Sequence, residues 1–253
     1  MRPFPWASHL IYLMGDSDGR ACGLSQSYRP ASWAAQTWRE LGSMTDPSEE
    51  EDCLFCQVLR VSSDELPWHD RILARTPDVG AVIAGLGAFV PGYVLIFPEE
   101  HTESTLRVGP LERFLEFVDR AVSRVTAVFG PATIFEHGNC ATPGARRSAC
   151  LDHAHLHVLP GSYQLAGSIQ QRPNKLLNDI GYALRGSESS EGYLYLREPS
   201  GAVWYAPDPR VSQYFRRKVA EHLNTPDEWD YLMFPRLDNV RETIHRFGEL
   251  RLE

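Results

Sequence analysis

The sequence predicts an α+β fold: an antiparallel sheet with one long helix packed against it, plus a C-terminal α/β extension. Three observations carry this expectation. First, short apolar runs bounded by turn residues recur at 71–74, 80–84 and 93–97, and read as consecutive strands of an antiparallel sheet. Second, between 110 and 129 apolar residues fall at Leu111, Phe114, Leu115, Val118, Val122, Val125 and Ala127, near helical spacing. Pro110 stands near the first turn and Gly130 at the end. Third, 133–136 and 154–160 read as two further strands, separated by a loop bearing Gly, Pro and Arg.

The chain has 253 residues, and at about 150 residues per domain this means one elaborated domain or two small ones. A disulfide-stapled miniprotein is excluded. The 25 basic and 33 acidic residues leave a net charge of −8, which disfavours general binding to long nucleic acids, since phosphate neutralisation needs a basic face. Lys175 and Lys218 are the only lysines. The other positive side chains are guanidinium forks suited to carboxylates or phosphates, a bias that genome composition alone can also produce. The five cysteines (Cys22, Cys53, Cys56, Cys140, Cys150) have no framework spacing, so no structural disulfide is expected. The apolar run at 6–14 is short, contains Ser8 and His9, and is followed by Asp16 and Asp18, a poor signal peptide. No later stretch has about 18 apolar residues. A cytoplasmic protein with no membrane partner is expected.

Three regions follow: an N-terminal extension at 1–43, a catalytic domain at 44–165 and a C-terminal extension at 166–253. In the extension, a helix is predicted at 174–184, a Gly/Ser-rich link at 186–192, strands at 193–197 and 202–205, and helices at 212–223 and 239–247.

The most informative segment is Asp152-His153-Ala154-His155-Leu156-His157-Val158-Leu159-Pro160. Side chains on a strand alternate between faces, so His153, His155 and His157 point one way while Ala154, Leu156 and Val158 point into the core. Neighbouring histidines then lie about 6 to 7 Å apart and the outer two about 13 Å apart. Adjacent rings can converge on one atom, but the outer two cannot readily do so; the trio therefore serves at least two tasks. A neutral imidazole can attack phosphorus to give a reactive phosphoramidate, with neighbouring rings donating to phosphoryl oxygens. Strict alternation beside an apolar face disfavours three merely solvated histidines.

This segment resembles the signature of the histidine triad (HIT) superfamily, three histidines alternating with apolar residues and followed by two more. The likeness extends over about 52–162: an upstream CxxC, an apolar strand ending Pro98-Glu-Glu-His101, a helix, and a strand ending Phe135-Glu-His-Gly138. The later segment, including Ser212-Gln213-Tyr-Phe-Arg-Arg and Trp229-Asp230-Tyr231, resembles the C-terminal extension of some bacterial HIT-like proteins. The resemblance implies a nucleotide phosphohydrolase or nucleotidyltransferase acting at the α-phosphate of a nucleotide conjugate. In this reading His155 is the nucleophile that becomes nucleotidylated, and His157 contacts the phosphate and bridging oxygen. A third histidine, rather than the glutamine of the galactose-1-phosphate uridylyltransferase branch, points to the hydrolase-like or adenylyl-transferring branches. Glu136 stands where the family commonly has an amide that orients the phosphate. Members are often homodimers, which adds a second copy of the chain to the expected partners.

Cys53-Leu-Phe-Cys56 has the spacing of half a zinc site, with a redox pair as its rival. The resemblance supplies the other two ligands, His101 and His153. Cys53, Cys56, His101 and His153 would then form a closed set holding a structural zinc, with His155 and His157 left to the phosphate. His137, next to Glu136 and on the opposite face, is expected to be structural. Loop 139–152 carries Arg146 and Arg147, candidate phosphate contacts; the resemblance adds Ser148 and Cys150, near the family's usual phosphate-contacting loop position. Gln213, Trp204 and Trp229 are candidates for a base or leaving-group pocket, with core as the alternative for the aromatic residues. Arg216, Arg217 and Lys218 read as a solvated helix face. Two other functions fit the pattern: a hydrolase in which His153 and His155 ligate a catalytic zinc, and a non-catalytic zinc-stabilised module that binds a nucleotide or protein partner.

Overall fold

The structure, a computed structural model, describes residues 53–62, 64–138, 153–169, 175–177 and 192–249. Its elements in chain order are α1 (Leu54–Arg60), β1 (Ile72–Thr76), β2 (Gly80–Ala84), β3 (Val94–Pro98), α2 (Leu111–Phe129), β4 (Ala132–Gly138), β5 (Leu156–Pro160), α3 (Ala166–Ile169), β6 (Lys175–Leu177), β7 (Tyr193–Arg197), β8 (Val203–Pro207), α4 (Tyr214–His222) and α5 (Leu237–Glu249). The eight strands form one sheet in the order β1-β2-β3-β5-β4-β7-β8-β6. Every neighbouring pair is antiparallel. The α+β class read from the sequence is the one observed.

The period-2 apolar pattern decides the layers. Val82, Val94, Ile96, Ile134, Leu156 and Val158 share one face and pack under Phe114, Phe117, Val118, Ala121 and Val125 of α2. This is the long helix predicted from apolar spacing; it stops at Gly130, whose φ of 93° suits glycine and whose N–H caps the Thr126 carbonyl. The opposite face has two separate covers. Phe55 and Val58 of α1 pack on Ala81, Ile83 and Phe97, while Phe215, Val219 and Ala220 of α4 with Val240 of α5 pack on Ala84, Phe135, Leu194 and Leu196. The gap between those covers is the pocket described below. Because β7 pairs along β4, from Ile134↔Arg197 to Gly138↔Tyr193, the C-terminal extension continues the sheet of the preceding region.

Several boundaries differ from expectation for local reasons. β5 starts at Leu156 because the Ala154 N–H donates to the Thr102 carbonyl in the loop after β3, at 2.6 Å. Residues 175–177 are an edge strand pairing with β8, which replaces the start of the predicted helix at 174–184. The α4 helix begins at Tyr214 because Gln213 is left-handed, with φ 53°. The predicted N-terminal extension and the link at 186–191 lie outside the described residues. No described helix is long and apolar enough to cross a membrane.

Phe114 is buried at the centre of the α2 contact. Phe114→Ala is expected to lower the unfolding free energy by about 3–5 kcal/mol, measured by urea titration.

Candidate active site and metal site

Cys53 precedes the first turn of α1 and Cys56 lies in it, so the CxxC spacing brings both sulfurs to one side of a helix start. β3 ends at Pro98, and the following residues carry His101 to the same place. His153, just before β5, completes the group: the ligand atoms of Cys53, Cys56, His101 and His153 all lie within 4.8 Å of one another. Cys53 Sγ is 3.3 Å from His153 Nδ1, Cys56 Sγ is 3.3 Å from His101 Nδ1, and Cys56 Sγ is 3.6 Å from His153 Nδ1. A tetrahedral ion bound by sulfur and nitrogen sets such edges at about 3.5 Å, and neither cysteine is in a disulfide.

The tautomer of His153 also fits a ligand. Its Nε2 is 2.8 Å from the Pro98 carbonyl, which can only accept. Nε2 therefore carries the proton and Nδ1 presents a lone pair to the thiols. Burial pushes this ring down to a pKa of about 4, against the Pro98 hydrogen bond, so it is neutral near pH 7. The four side chains can hold a metal ion in a closed set that leaves no position for substrate.

His155 does not join this set. Its Nδ1 is 2.8 Å from the His153 carbonyl, so the proton is on Nδ1 and the lone pair on Nε2. Among the described residues the group that could hold an ion pairs His153 with Cys53, Cys56 and His101, not with His155, so the alternative of a catalytic ion on His153 and His155 draws no support from it. Burial holds the His155 pKa at about 4 and His157 well below its ordinary value, the latter helped by the charges of His155 and Arg216. Both rings are thus neutral at pH 7. Phe55 of α1 meets His155 edge-on at 5.4 Å.

His157 sits in β5 opposite Leu95 of β3 and Phe135 of β4. Its ring is stacked on Phe135 at 4.6 Å and on Tyr93 at 5.9 Å. The Tyr93 hydroxyl lies 2.5 Å from His157 Nδ1 and accepts from Arg216 Nη1 at 3.4 Å. Its own proton therefore goes to His157, leaving Nε2–H of His157 as a donor.

Both rings line a pocket of about 110 Å³ between the two covers of the sheet. Leu54 and Phe55 form the α1 wall, and Gln213, Tyr214, Phe215 and Arg216 form the α4 wall, with Asp70 and Tyr231 also reaching it. Gln213, named from the sequence, is thus at the pocket, and its Oε1 is buried with no hydrogen-bond partner among the described residues. Trp204 and Trp229 are not among the lining residues; both pack against the core cluster beneath α4.

Glu136 is a correction. Phe135 faces the pocket in register with His157, so the next residue of β4 points through the sheet to the α2 side, where Glu136 is 1% exposed. There it accepts from the Thr105 N–H at 3.0 Å, from the Thr105 hydroxyl, and from the Tyr193 hydroxyl at 2.6 Å. It anchors the turn that follows His101 and does not reach the phosphate face. His137 takes the pocket side instead, its Nε2 2.8 Å from Asp208 Oδ1. Arg146, Arg147, Ser148 and Cys150 lie outside the described residues. Tyr93, Asp70, His137 and Arg216 were not identified as site residues from the sequence.

Glu136→Leu would strand three buried donors and is expected to cost about 3 kcal/mol or more by denaturant titration. Burial raises the Glu136 pKa in the fold. The protonated form therefore stabilises fully below the unfolded value of about 4.3, and that contribution is lost as pH rises through the folded value. Glu136→Gln removes this dependence, so its stability relative to the parent should improve between pH 4 and pH 8.

No family model matches the chain, and no curated protein does. Solved structures that resemble it include a HIT family hydrolase from Clostridium thermocellum, 23% identical over 44% of this chain and 91% of that one, with TM-score 0.33. A hypothetical histidine triad nucleotide-binding protein from Sulfolobus tokodaii strain 7 is 18% identical over 43% and 68%, TM-score 0.33. A histidine triad protein from Clostridium difficile is 19% identical over 44% and 90%, TM-score 0.31.

Proposed function

We propose that this chain is a histidine triad enzyme that cleaves or transfers at the α-phosphate of a nucleotide conjugate through a covalent nucleotidyl-His155 intermediate. The observation that carries the reading is the pair of opposite tautomers at the pocket: His155 bonded through Nδ1 to the His153 carbonyl, and His157 bonded through Nδ1 to Tyr93. In this mechanism the Nε2 lone pair of His155 attacks phosphorus, and the carbonyl of His153 stabilises the positive charge that develops on the ring. The bond to the leaving group breaks, and Nε2–H of His157 donates to a phosphoryl or bridging oxygen. Water or an acceptor then attacks the phosphorus, breaking the P–N bond and freeing His155. The hydrolase and transferase outcomes differ only in that second nucleophile. The buried Gln213 carbonyl oxygen fits a hydroxyl or amino donor of the substrate.

Cys53, Cys56, His101 and His153 would hold a structural zinc. Bound there, zinc supplies rigidity: it fixes the His153 backbone that orients His155. The substrate is a small nucleotide conjugate, and the acidic chain does not suit long nucleic acid. By the family resemblance, Arg146, Arg147, Ser148 and Cys150 of the loop at 139–152 would be further phosphate contacts.

Incubating the protein with a nucleotide conjugate labelled at the α-phosphate and quenching in denaturant should leave acid-labile label on His155. His155→Ala should lose the adduct and on the order of 10³-fold or more of turnover while retaining its circular dichroism. Turnover at the parental rate in His155→Ala would sink the reading. Elemental analysis should find about one zinc per chain, and Cys56→Ser should lose it. Slow chelation should lower the melting temperature along with activity, as a structural ion requires; immediate loss of activity in a fully folded protein would argue against that role.

A further inference from the structure

Arg216 has no task in the reaction just described, beyond its contact with Tyr93. It belongs to the run Arg216-Arg217-Lys218, where the sequence predicts a solvated face, yet it is 4% exposed in the pocket wall. Its neighbours meet that expectation better: Arg217 stacks on Trp229 at 3.4 Å, and Lys218 pairs with Glu221 at 2.7 Å on the surface. Arg216 donates from Nε to the Trp229 carbonyl at 2.9 Å, from Nη2 to the Gly87 carbonyl at 3.0 Å and from Nη1 to Tyr93. Phe89 and Tyr231 flank it at 4.8 and 5.9 Å. All these partners are neutral, and no carboxylate pairs with it among the described residues.

A guanidinium has five N–H groups, and three are occupied. Burying a cation without a counterion is costly, and the cost is offset when a ligand brings the anion. Two features narrow where that anion sits. α4 starts without a side-chain cap, and Gln213 to Arg216 at its start line the pocket, so the positive end of the helix lies at this wall. The acidic lining residue, Asp70, lies before β1, on a different element from Arg216, with His69 Nε2 at 3.6 Å. The same Arg216 touches Tyr93, which touches His157, the ring beside the leaving group in the mechanism above.

We propose that Arg216 forms an anion subsite for the departing part of the substrate, selecting conjugates whose leaving group is itself phosphorylated over those with an uncharged amine. The proposal rests on the His155 reading for the position of the reacting phosphorus. In the step, the His155 Nε2 lone pair forms the P–N bond while the bond from the α-phosphorus to the bridging oxygen breaks. The electron pair stays on the departing phosphate, whose added negative charge faces the guanidinium, and no proton transfer is required.

Tripolyphosphate binding to the full chain, followed by calorimetry, tests this without turnover. Arg216→Gln should weaken binding roughly tenfold or more, whereas Lys218→Gln should leave it unchanged. Arg216→Lys keeps the charge but loses the fork to the two carbonyls, so it should bind better than Arg216→Gln. Equal affinity in the parent and Arg216→Gln, or no advantage of Lys over Gln, would make Arg216 a brace only and overturn the proposal. If Arg216→Gln does not fold, Arg216→Lys against the parent decides it: affinity should fall by less than about tenfold, and complete loss counts against the subsite. In kinetics, the preference of the parent for a dinucleoside polyphosphate over a nucleoside phosphoramidate, as kcat/KM, should shrink in the Arg216 variants. His155→Ala should still bind tripolyphosphate. Failure of the covalent chemistry therefore leaves this readout intact, and an adduct on His155 without tripolyphosphate binding sinks only the subsite.

Discussion

The pocket depends on the hydrogen-bonding constraint at one residue, His153. Its ring is held between the Pro98 carbonyl on Nε2 and the cysteine sulfurs on Nδ1, and its own carbonyl accepts the proton of His155 Nδ1. A buried imidazole that must donate on one side can only accept on the other, so the position of Pro98 at the end of β3 decides which nitrogen faces the metal site. The same backbone decides which nitrogen of His155 faces the pocket. Bonding Nδ1 of His155 to a backbone carbonyl two residues away removes a rotamer and a proton ambiguity that a solvated histidine would retain.

The second constraint is the sharing of the sheet. β5 lies between β3 and β4, so His157 has a strand on each side, and both contribute rings or hydroxyls to it: Tyr93 from the residue before β3, Phe135 from β4. The extension then pairs β7 onto β4 and returns α4 over the same face. The wall of the pocket opposite α1 is therefore built from chain that lies more than fifty residues downstream of the histidines. A sheet that continues without interruption ties this wall to the strands beneath it by packing, where a separate domain would be joined by a tether.

Periodicity carried much of this architecture and little of its long-range pairing. Apolar spacing is a local property, so α2 and the alternation of His153, His155 and His157 were legible, even though only His157 lies within the observed strand. The CxxC spacing marked half of the Cys/His cluster, and the family resemblance pointed to the rest. Register is not local: that Phe135 lies opposite His157 decides that Glu136 faces α2 and His137 the pocket, and nothing in the sequence of β4 alone specifies it. β6 is a three-residue edge strand whose partner is distant in sequence, so local propensity could not distinguish it from a helix. Arg216 was hidden for a related reason, because the fate of a basic helical run depends on what packs against each of its faces.

The net charge of the chain and a buried cation at the pocket act over different distances. A chain of −8 repels polyanions in bulk, but at physiological ionic strength that repulsion is screened beyond about 8 Å. Inside the pocket, the lining groups include neutral imidazoles, aromatic rings and the buried guanidinium of Arg216 at the start of α4, with Asp70 at the lining and the Asp208 carboxylate behind His137. A small anion can reach the Arg216 guanidinium at close range inside the pocket, whereas a long polyanion must lay most of its length outside it.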